Sequence, residues 1–171
     1  SDIAANALRS GKVDRTDPQF GRLPAYPGSA NVEALGTRQS VELGALQVSV
    51  VHTPGHTPGG TSWTWKSCEQ ERCLNIVYGD SLNAISDEAF NYGGDERYPA
   101  AAADMLSSID ALAALPCDIL VAAHPELTGL WSVFGEDGRG DRAQLIDSSA
   151  CRRYAAAGKA RLDKRLAAET K

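Results

Sequence analysis

Two histidines, His52 and His56, lie four residues apart in the stretch VVHTPGHTPGG. Imidazole is the commonest metal ligand in proteins, and this spacing on a helix would place both rings on one face. Pro54 and Pro58 exclude a helix here, because proline lacks a backbone N–H and restricts the residue before it. The loop is therefore stiff, which suits a ligand because little conformational entropy is left to lose on binding. An imidazole hydrogen-bonded in a polar turn is the alternative, and the spacing does not separate the two.

The third histidine of the chain, His124, follows the short apolar run DILVAA and precedes Pro125. Zinc requires three or four ligands, and the helical pairing that would favour His52 is excluded. If the cysteines are bridged, the chain supplies at most two good zinc ligands. Both histidine loops follow strands, and sites in α/β folds collect at strand ends. We therefore expect the histidine-bearing segments to lie beside a site.

Four cysteines allow two interpretations. Cys68 and Cys73 flank the polar turn EQER between two β-prone runs, so they can close a tight hairpin at a separation that a disulfide accepts. A zinc knuckle would more often use a spacing of two with a second pair nearby. Cys117 and Cys151 have no such neighbours in the sequence. Disulfides would indicate an oxidising compartment, and free buried thiols are the alternative.

Hydrophobic periodicity predicts the elements that position these residues. They are a short helix over 1–11 ended by Gly11, hairpins over 39–51 and 61–80, a helix over 99–115, a strand over 118–124, and a helix over about 148–169 capped by Ser148 or Ser149. This order predicts a layered α/β arrangement with helices against a sheet.

Composition excludes several classes of function. The 171 residues carry a net charge of -5 and no lysine or arginine stripe, so we expect no nucleic-acid partner. No apolar run approaches the roughly 20 residues of a membrane span, so we expect no membrane partner. A hydrophobic content of 43% is typical of a globular chain with a real core.

Four stretches together resemble the C-terminal half of a metallo-β-lactamase of the third subclass, whose zinc ligands are histidines and one aspartate. They are HTPGHTPGGTSWTW, NIVYGDSLN, LPCDILVAAHPE and ACRRYA, and the resemblance runs from about residue 5 to the end. HTPGHTPG is shared with glyoxalase II, so the specific signals are the serine after Gly-Asp and the two later cysteines. The resemblance implies an α/β fold, the C-terminal half of the αβ/βα four-layer sandwich, as a single partial domain over 1–171.

The resemblance also implies roles for individual residues. His56 would be the third histidine of the first zinc site and His124 the last histidine of the second, so the two imidazoles would point into a common space. Ser81 would hold a water by a hydrogen bond in the catalytic and substrate-binding region, and Asn83 would contact the substrate carboxylate. Asp80 is expected to be structural, although in other hydrolases of the superfamily a Gly-Asp here provides a metal-bridging carboxylate.

Two further positions are interpreted through the same resemblance. His52 matches a position that is not a ligand. Cys117 and Cys151 match the family disulfide that ties a strand to the last helix, and the Cys68–Cys73 pair fits a narrower set within the subclass. A bridged set of cysteines would indicate a periplasmic or secreted protein.

The implied function is hydrolysis of the β-lactam amide of penicillins, cephalosporins and carbapenems by a hydroxide formed on two zinc ions. The family signature His-x-His-x-Asp-His, which supplies four of the six zinc ligands, is absent from the sequence. We therefore interpret the chain as a fragment that is inactive alone. Its partners would be the missing N-terminal half or a swapped copy of the chain, and one apolar sheet face would lack its covering layer.

Two other functions are consistent with the sequence. One is a different hydrolase of the same superfamily, a glyoxalase II-like thioesterase or a lactonase. A bridging role for Asp80 would favour it, whereas the paired cysteines and Ser81 argue against a cytosolic thioesterase. The other is a non-catalytic half-fold that serves as an assembly module.

Overall fold

The computed structural model describes residues 1–36, 39–135 and 138–170. Within them the helices are α1 (Asp2–Ser10), α2 (Ala101–Ala114), α3 (Leu130–Phe134) and α4 (Ala150–Glu169), with short 3-10 helices at Pro125–Leu127 and Arg142–Leu145. The strands are β1 (Ser40–Leu43), β2 (Leu46–His52), β3 (Thr61–Glu69), β4 (Arg72–Gly79) and β5 (Ile119–Ala122). None of the helices in the described part of the chain is long and apolar enough to cross a membrane.

The five strands form one sheet in the order β1-β2-β3-β4-β5. The first four are antiparallel neighbours, which confirms the two predicted hairpins, and β5 lies parallel to β4. A parallel pair needs a crossover connection, and α2 supplies it. In this topology β2, β4 and β5 run in the same direction, so the segments that follow them leave the sheet at one edge.

One face of the sheet is covered by helices. Val77 of β4 and Leu120 of β5 are directly opposite each other and are buried against α2 and α4. The core between sheet and helices includes Met105 and Leu112 of α2 and Leu162 of α4, all fully buried. This layer is the helix-on-sheet packing that the periodicity predicts.

The other face carries two apolar rows. The strand register aligns one row of Val48, Trp65, Ile76 and Ile119 and a second row of Val50, Trp63, Tyr78 and Val121. Side chains alternate between faces along a strand, so both rows lie opposite the helix-covered face. Within the rows only Val50 is buried, where it lines a cavity with Ala5 of α1, and Tyr78 is 36% exposed. We call this surface the open face.

Both predicted cysteine pairs are bonded. Cys68 and Cys73 are opposite each other near the tip of the β3–β4 hairpin, and Cys117 is joined to Cys151 at the start of α4. The prediction that Gly11 ends α1 is also confirmed, because Gly11 adopts the left-handed conformation with φ of 66°.

The prediction of a serine cap on α4 is wrong in its chemistry. Ser149 stands at the N-cap position, but its side chain makes no capping bond. Instead its hydroxyl lies 2.6 Å from the Asp147 carboxylate, to which it donates. A capping hydroxyl would accept from a first-turn N–H, but the Ser149 oxygen accepts from the Arg153 guanidinium instead. Helix α3 and the two short 3-10 helices were not predicted, because they are too brief to show a period.

Candidate metal centre

The rings of His56 and His124 lie close together at the edge where β2, β4 and β5 end. Their centroids are 6.1 Å apart and their planes are nearly perpendicular, at 86°. His56 lies in the loop after β2, and His124 follows β5 by two residues. The segment 80–83 follows β4 at the same edge. The expectation that the two imidazoles share one space is therefore met by the geometry.

The hydrogen bonds of His56 fix which ring nitrogen is available. Its Nδ1 lies 2.7 Å from the backbone carbonyl oxygen of Asn83. A carbonyl oxygen can only accept, so Nδ1 carries the proton and Nε2 keeps its lone pair. The side-chain amide nitrogen of Gln19 lies 3.3 Å from that Nε2 and can donate to it. Metal-binding histidines almost always donate their second ring N–H to such an acceptor.

His124 has a carboxylate beside its ring. Its Nδ1 lies 3.2 Å from a carboxylate oxygen of Glu126, close enough for an ion pair when the imidazole is protonated. The His124 side chain is 41% exposed, so a ligand can reach the ring. Of the two adjacent imidazoles, His56 holds its Nδ1 proton against a carbonyl and presents Nε2, and His124 is open to a ligand.

The loop that carries His56 is held from beneath by α2. Gly55 has φ of 126°, and a Cβ on it would lie 2.6 Å from the backbone of Met105, so only glycine fits. The buried hydroxyl of Ser108 donates to the Pro54 carbonyl at 2.6 Å. The phenol of Tyr92 donates to the Gly55 carbonyl at 3.3 Å. The predicted stiffness of this loop thus comes from packing on a helix as well as from its prolines.

Asp80 lies between the two histidine segments with both oxygens committed to the backbone. Its Oδ2 accepts from the Thr61 N–H at 2.9 Å, and its Oδ1 accepts from the Ser81 N–H at 2.8 Å. Burial raises the pKa of the carboxyl, and the Ser81 N–H and the charge of His56 oppose that rise. Both bonds hold the backbone around the carboxylate, and the structural role expected from the sequence stays a prediction.

Ser81, Asn83 and His52 are all placed at this edge. Ser81 is 2% exposed, and its hydroxyl oxygen has no hydrogen-bond partner among the described residues. Such orphaned hydroxyls in native proteins call for a bound water or ligand group. Asn83 contacts His56 through its backbone carbonyl, and its predicted substrate contact through the side chain stays a prediction. Nε2 of His52 is also buried and without a partner within the described part of the chain.

Sequence reasoning missed two side chains of the site. Gln19 reaches His56 from an irregular segment, and nothing in the sequence indicated it. Tyr154 of α4 donates to the Asp80 carbonyl at 2.9 Å and accepts from the Leu82 N–H at 3.2 Å. Tyr154 lies within the helix predicted over about 148–169, and a buried phenol needs a polar partner.

The residues present fit part of a metal centre. Two neighbouring imidazoles, of which His56 is held by hydrogen bonds, supply nitrogen ligands of the kind that zinc prefers. Over residues 1–36, 39–135 and 138–170, no group of three His, Cys, Asp or Glu side chains comes together to hold an ion. The donor set is therefore suitable in chemistry and incomplete in number.

Comparison with solved structures identifies the fold. The chain is similar to MEM-A1, a subclass B3 metallo-β-lactamase from a soil metagenome library, at 44% identity with a TM-score of 0.91 over 97% of the chain. It is similar to the Rm3 metallo-β-lactamase at 42% identity with a TM-score of 0.95 over its full length. The resemblance seen in the sequence is thereby confirmed, and the fold is that of the C-terminal part of these enzymes.

Comparison with curated proteins finds a second group. The chain is 29% identical over 168 residues to a hydroxyacylglutathione hydrolase of Acidiphilium cryptum (strain JF-5). No protein-family model matches the chain. The chain spans 63% and 64% of the two solved structures and 58% of the curated relative, which is less than two thirds of each. Both groups are named as hydrolases, so the comparisons support a hydrolase of this superfamily.

Proposed function

We propose that this chain, which has the fold of the C-terminal part of subclass B3 metallo-β-lactamases, provides part of the zinc centre of a β-lactam hydrolase. The observation that carries the proposal is the pair His56 and His124. Their rings are 6.1 Å apart, His56 holds its Nδ1 proton against a carbonyl so that Nε2 is available, and the His124 side chain is 41% exposed. Two-metal hydrolase sites place their ions about 3.5–4 Å apart, a separation that two such imidazoles can serve, one ion each.

The chain's own residues would bind and orient. His56 and His124 would each give one nitrogen ligand to a separate zinc ion. When bound, zinc lowers the pKa of a water molecule toward neutrality and polarises the amide carbonyl that this water attacks. The buried Ser81 hydroxyl would hold a water or substrate oxygen beside the ions, and the Asn83 side chain would contact the substrate carboxylate. Asp80 would keep the segment after β4 in place without reaching the metal.

Further residues from outside this chain would complete the site. Each zinc needs at least three protein ligands, and the sequence contains only three histidines and no His-x-His-x-Asp-His motif. The open face presents two rows of apolar side chains that in a soluble protein call for a partner surface. One additional layer would meet both needs. We propose the N-terminal part of the same fold as that layer, with a swapped copy of the chain as the alternative source.

The two disulfides support an oxidising location. Cys68–Cys73 is exposed at its hairpin, and Cys117–Cys151 is buried in the core. Disulfides persist in the periplasm and outside the cell and are rare in the reducing cytosol. We therefore propose a periplasmic or secreted enzyme.

A hydrolysis assay with nitrocefin and added zinc tests the proposal on two proteins. One is this 171-residue chain, and the other is a longer polypeptide in which the His-x-His-x-Asp-His segment precedes it. We expect no turnover from the chain alone, because one imidazole per ion binds zinc weakly, and clear turnover from the longer protein. In the longer protein, His56→Ala and His124→Ala should each reduce turnover to the uncatalysed rate.

His52→Ala is the matched control, because it removes an imidazole from the same region without removing an expected ligand. It should keep most of the turnover and the zinc content of the longer protein. Turnover by the chain alone would contradict the need for outside ligands. Full activity of His56→Ala would show that His56 is not a zinc ligand.

A thioesterase of the glyoxalase II type is the second candidate, favoured by the similarity to a hydroxyacylglutathione hydrolase. The same proteins assayed with a glutathione thioester decide between the two substrates. The β-lactam proposal expects nitrocefin turnover to exceed thioester turnover, and the reverse order would replace it.

Light scattering on the chain alone tests the third hypothesis, since a stable defined dimer without either activity would indicate an assembly module.

A further inference from the structure

We infer that Tyr154 is a positioning residue for the His56 imidazole, acting from α4 through the backbone of Leu82 and Asn83. The inference rests on the proposed function, in which His56 is a zinc ligand. Tyr154 acts on the backbone beside the ring and is not itself an expected ligand or substrate contact. Its effect would be to decide which nitrogen of His56 carries the proton.

The contacts form a short path. Tyr154 is 3% exposed, and its phenol donates to the Asp80 carbonyl at 2.9 Å and accepts from the Leu82 N–H at 3.2 Å. The next residue, Asn83, offers its carbonyl to His56 Nδ1 at 2.7 Å. The carbonyl that orients the imidazole therefore belongs to Asn83, the residue that follows Leu82, whose N–H the phenol holds.

A second phenol holds the far end of the same segment. The single O–H of Tyr92 lies 3.3 Å from the Ile85 carbonyl oxygen and 3.3 Å from that of Gly55, the residue before His56, so the two carbonyls share one donor. The Ile85 N–H in turn donates to the Asn83 carbonyl at 2.9 Å. Two buried phenols therefore hold the segment 80–85, Tyr154 at its start and Tyr92 at its end. The Asn83 carbonyl lies between these contacts along the chain.

Close packing of α4 against the segment supports a direct role for this helix. A Cβ added to Gly158 would lie 2.8 Å from the Cβ of Leu82, so the helix and Leu82 are in contact at a glycine. Cys151, one helical turn before Tyr154, is 1% exposed and bonded to Cys117. The disulfide and the glycine together fix the height at which the phenol meets the backbone of Asp80 and Leu82.

The consequence for the metal site is a choice of tautomer. While the Asn83 carbonyl is held in place, His56 keeps its proton on Nδ1 and offers a lone pair on Nε2. If Leu82 and Asn83 shift, Nδ1 loses its acceptor and the ring can carry its proton on Nε2, the nitrogen that must bind zinc. Without the phenol oxygen, the Asp80 carbonyl and the Leu82 N–H each lose a buried hydrogen-bond partner. Because unsatisfied buried polar groups are costly, we expect this backbone to shift.

The test is nitrogen-15 NMR of the metal-free chain at a pH where the imidazoles are neutral. Tyr154→Phe removes the phenol oxygen and keeps the ring. We expect its His56 to show a smaller fraction of the Nδ1–H tautomer and an Nδ1 proton that exchanges with water about fivefold to tenfold faster, as the loss of one net hydrogen bond implies. His124, whose Nδ1 lies beside the Glu126 carboxylate, should be unchanged.

Tyr98→Phe is the matched control. Tyr98 is also a buried phenol of the same core and donates to Asp104 at 2.6 Å, a residue of α2 outside the segment 80–85. The variant should leave the His56 spectrum unchanged although it loses a comparable bond. If Tyr154→Phe and Tyr98→Phe give the same His56 spectrum as the parent chain, the inference is overturned.

Amide exchange in the parent chain decides the matter if Tyr154→Phe does not fold. The Leu82 N–H should be protected from exchange as strongly as the amides of Val77 and Leu120 in the core, and rapid exchange would overturn the inference. None of these measurements requires zinc or substrate. A failure of the zinc hydrolase proposal would therefore appear in the nitrocefin assay and leave this result standing, and the reverse holds equally.

Discussion

The two faces of the sheet differ in how completely they are covered. On the helix-covered face Val77 is fully buried and Leu120 is 7% exposed, and both pack against α2 and α4. On the open face Tyr78 is 36% exposed and Val41 43% exposed, although the register places them in or beside rows of apolar side chains. The same strands therefore supply a finished core on one side and an apolar surface on the other.

This difference bears directly on the candidate site. The groups that hold His56 in place come from the helix-covered side, namely Ser108 of α2, Tyr154 of α4 and Tyr92. The open face contributes no ligand among the described residues, and the donor set is short of the number that zinc requires. The half of the site that the helices support is preorganised, and under the proposed function the remaining ligands would come from the layer that covers the open face.

Matched leucine substitutions on the two faces give the largest expected contrast. Leu112→Ala, in α2 at 0% exposure, should lower the free energy of unfolding by about 3–5 kcal/mol because it leaves a cavity in a closed core. Leu46→Ala, in β2 at 37% exposure, should lower it by less than about 1 kcal/mol. Urea denaturation of the 171-residue chain measures both values. Equal losses would mean that the open face is covered in solution, for example by a second copy.

The two disulfides sharpen the comparison at a smaller scale. Cys117–Cys151 closes a separation of 34 residues and joins two elements of the covered core, whereas Cys68–Cys73 closes 5 residues at an exposed hairpin. Chain entropy predicts a stabilisation of about 4 kcal/mol for the longer loop and about 2 kcal/mol for the shorter. Denaturation of the paired Cys→Ser variants of each bridge measures the difference. A larger loss at the hairpin would show that the exposed end, and not the helix layer, limits stability.

Most of the fold could be predicted because its elements carry strong local patterns. The alternation in β2, Gly11 at the end of α1 and the period of α2 each reflect a local rule that packing did not override. The segment between β5 and α4 could not be predicted. Its helix α3 has five residues, and such a short turn depends on neighbours that the sequence does not specify.

Only the site residues of a rare type, the histidines, could be predicted from the sequence. Three histidines in 171 residues made His56 and His124 visible, and the resemblance then suggested their roles. The groups that orient them were hidden because they act through the backbone, as the Asn83 carbonyl does, or come from distant parts of the chain, as Gln19 and Tyr154 do. Hydrogen bonds that span 27 to 74 residues depend on the finished topology and leave no spacing signal.

The smallest expected effect concerns the hydrogen bonds and the ion pair of Glu169 within the helix-covered layer. Glu169 at the end of α4 accepts from the N–H groups of Tyr92 at 3.0 Å and Gly93 at 2.8 Å and is paired with Arg165. Although burial opposes it, the Arg165 charge and the two N–H groups hold the pKa of Glu169 below its ordinary value of 4.5. Its contribution to stability is therefore complete above that value and is lost as the pH falls through the lower pKa of the folded protein.

Glu169→Gln should consequently lower the free energy of unfolding by about 1–2 kcal/mol at pH 7, because a neutral amide is a weaker acceptor for the two N–H groups. The difference between variant and parent should shrink as the pH drops below 4.5. Asp163→Asn is the control on the same helix, since the Lys159–Asp163 pair is 55% and 56% exposed and should contribute no more than about 0.5 kcal/mol. Urea titrations at several pH values measure both. A loss of unfolding free energy that does not depend on pH would show that the shape of the Glu169 side chain, and not its charge, holds the end of α4 to Tyr92 and Gly93.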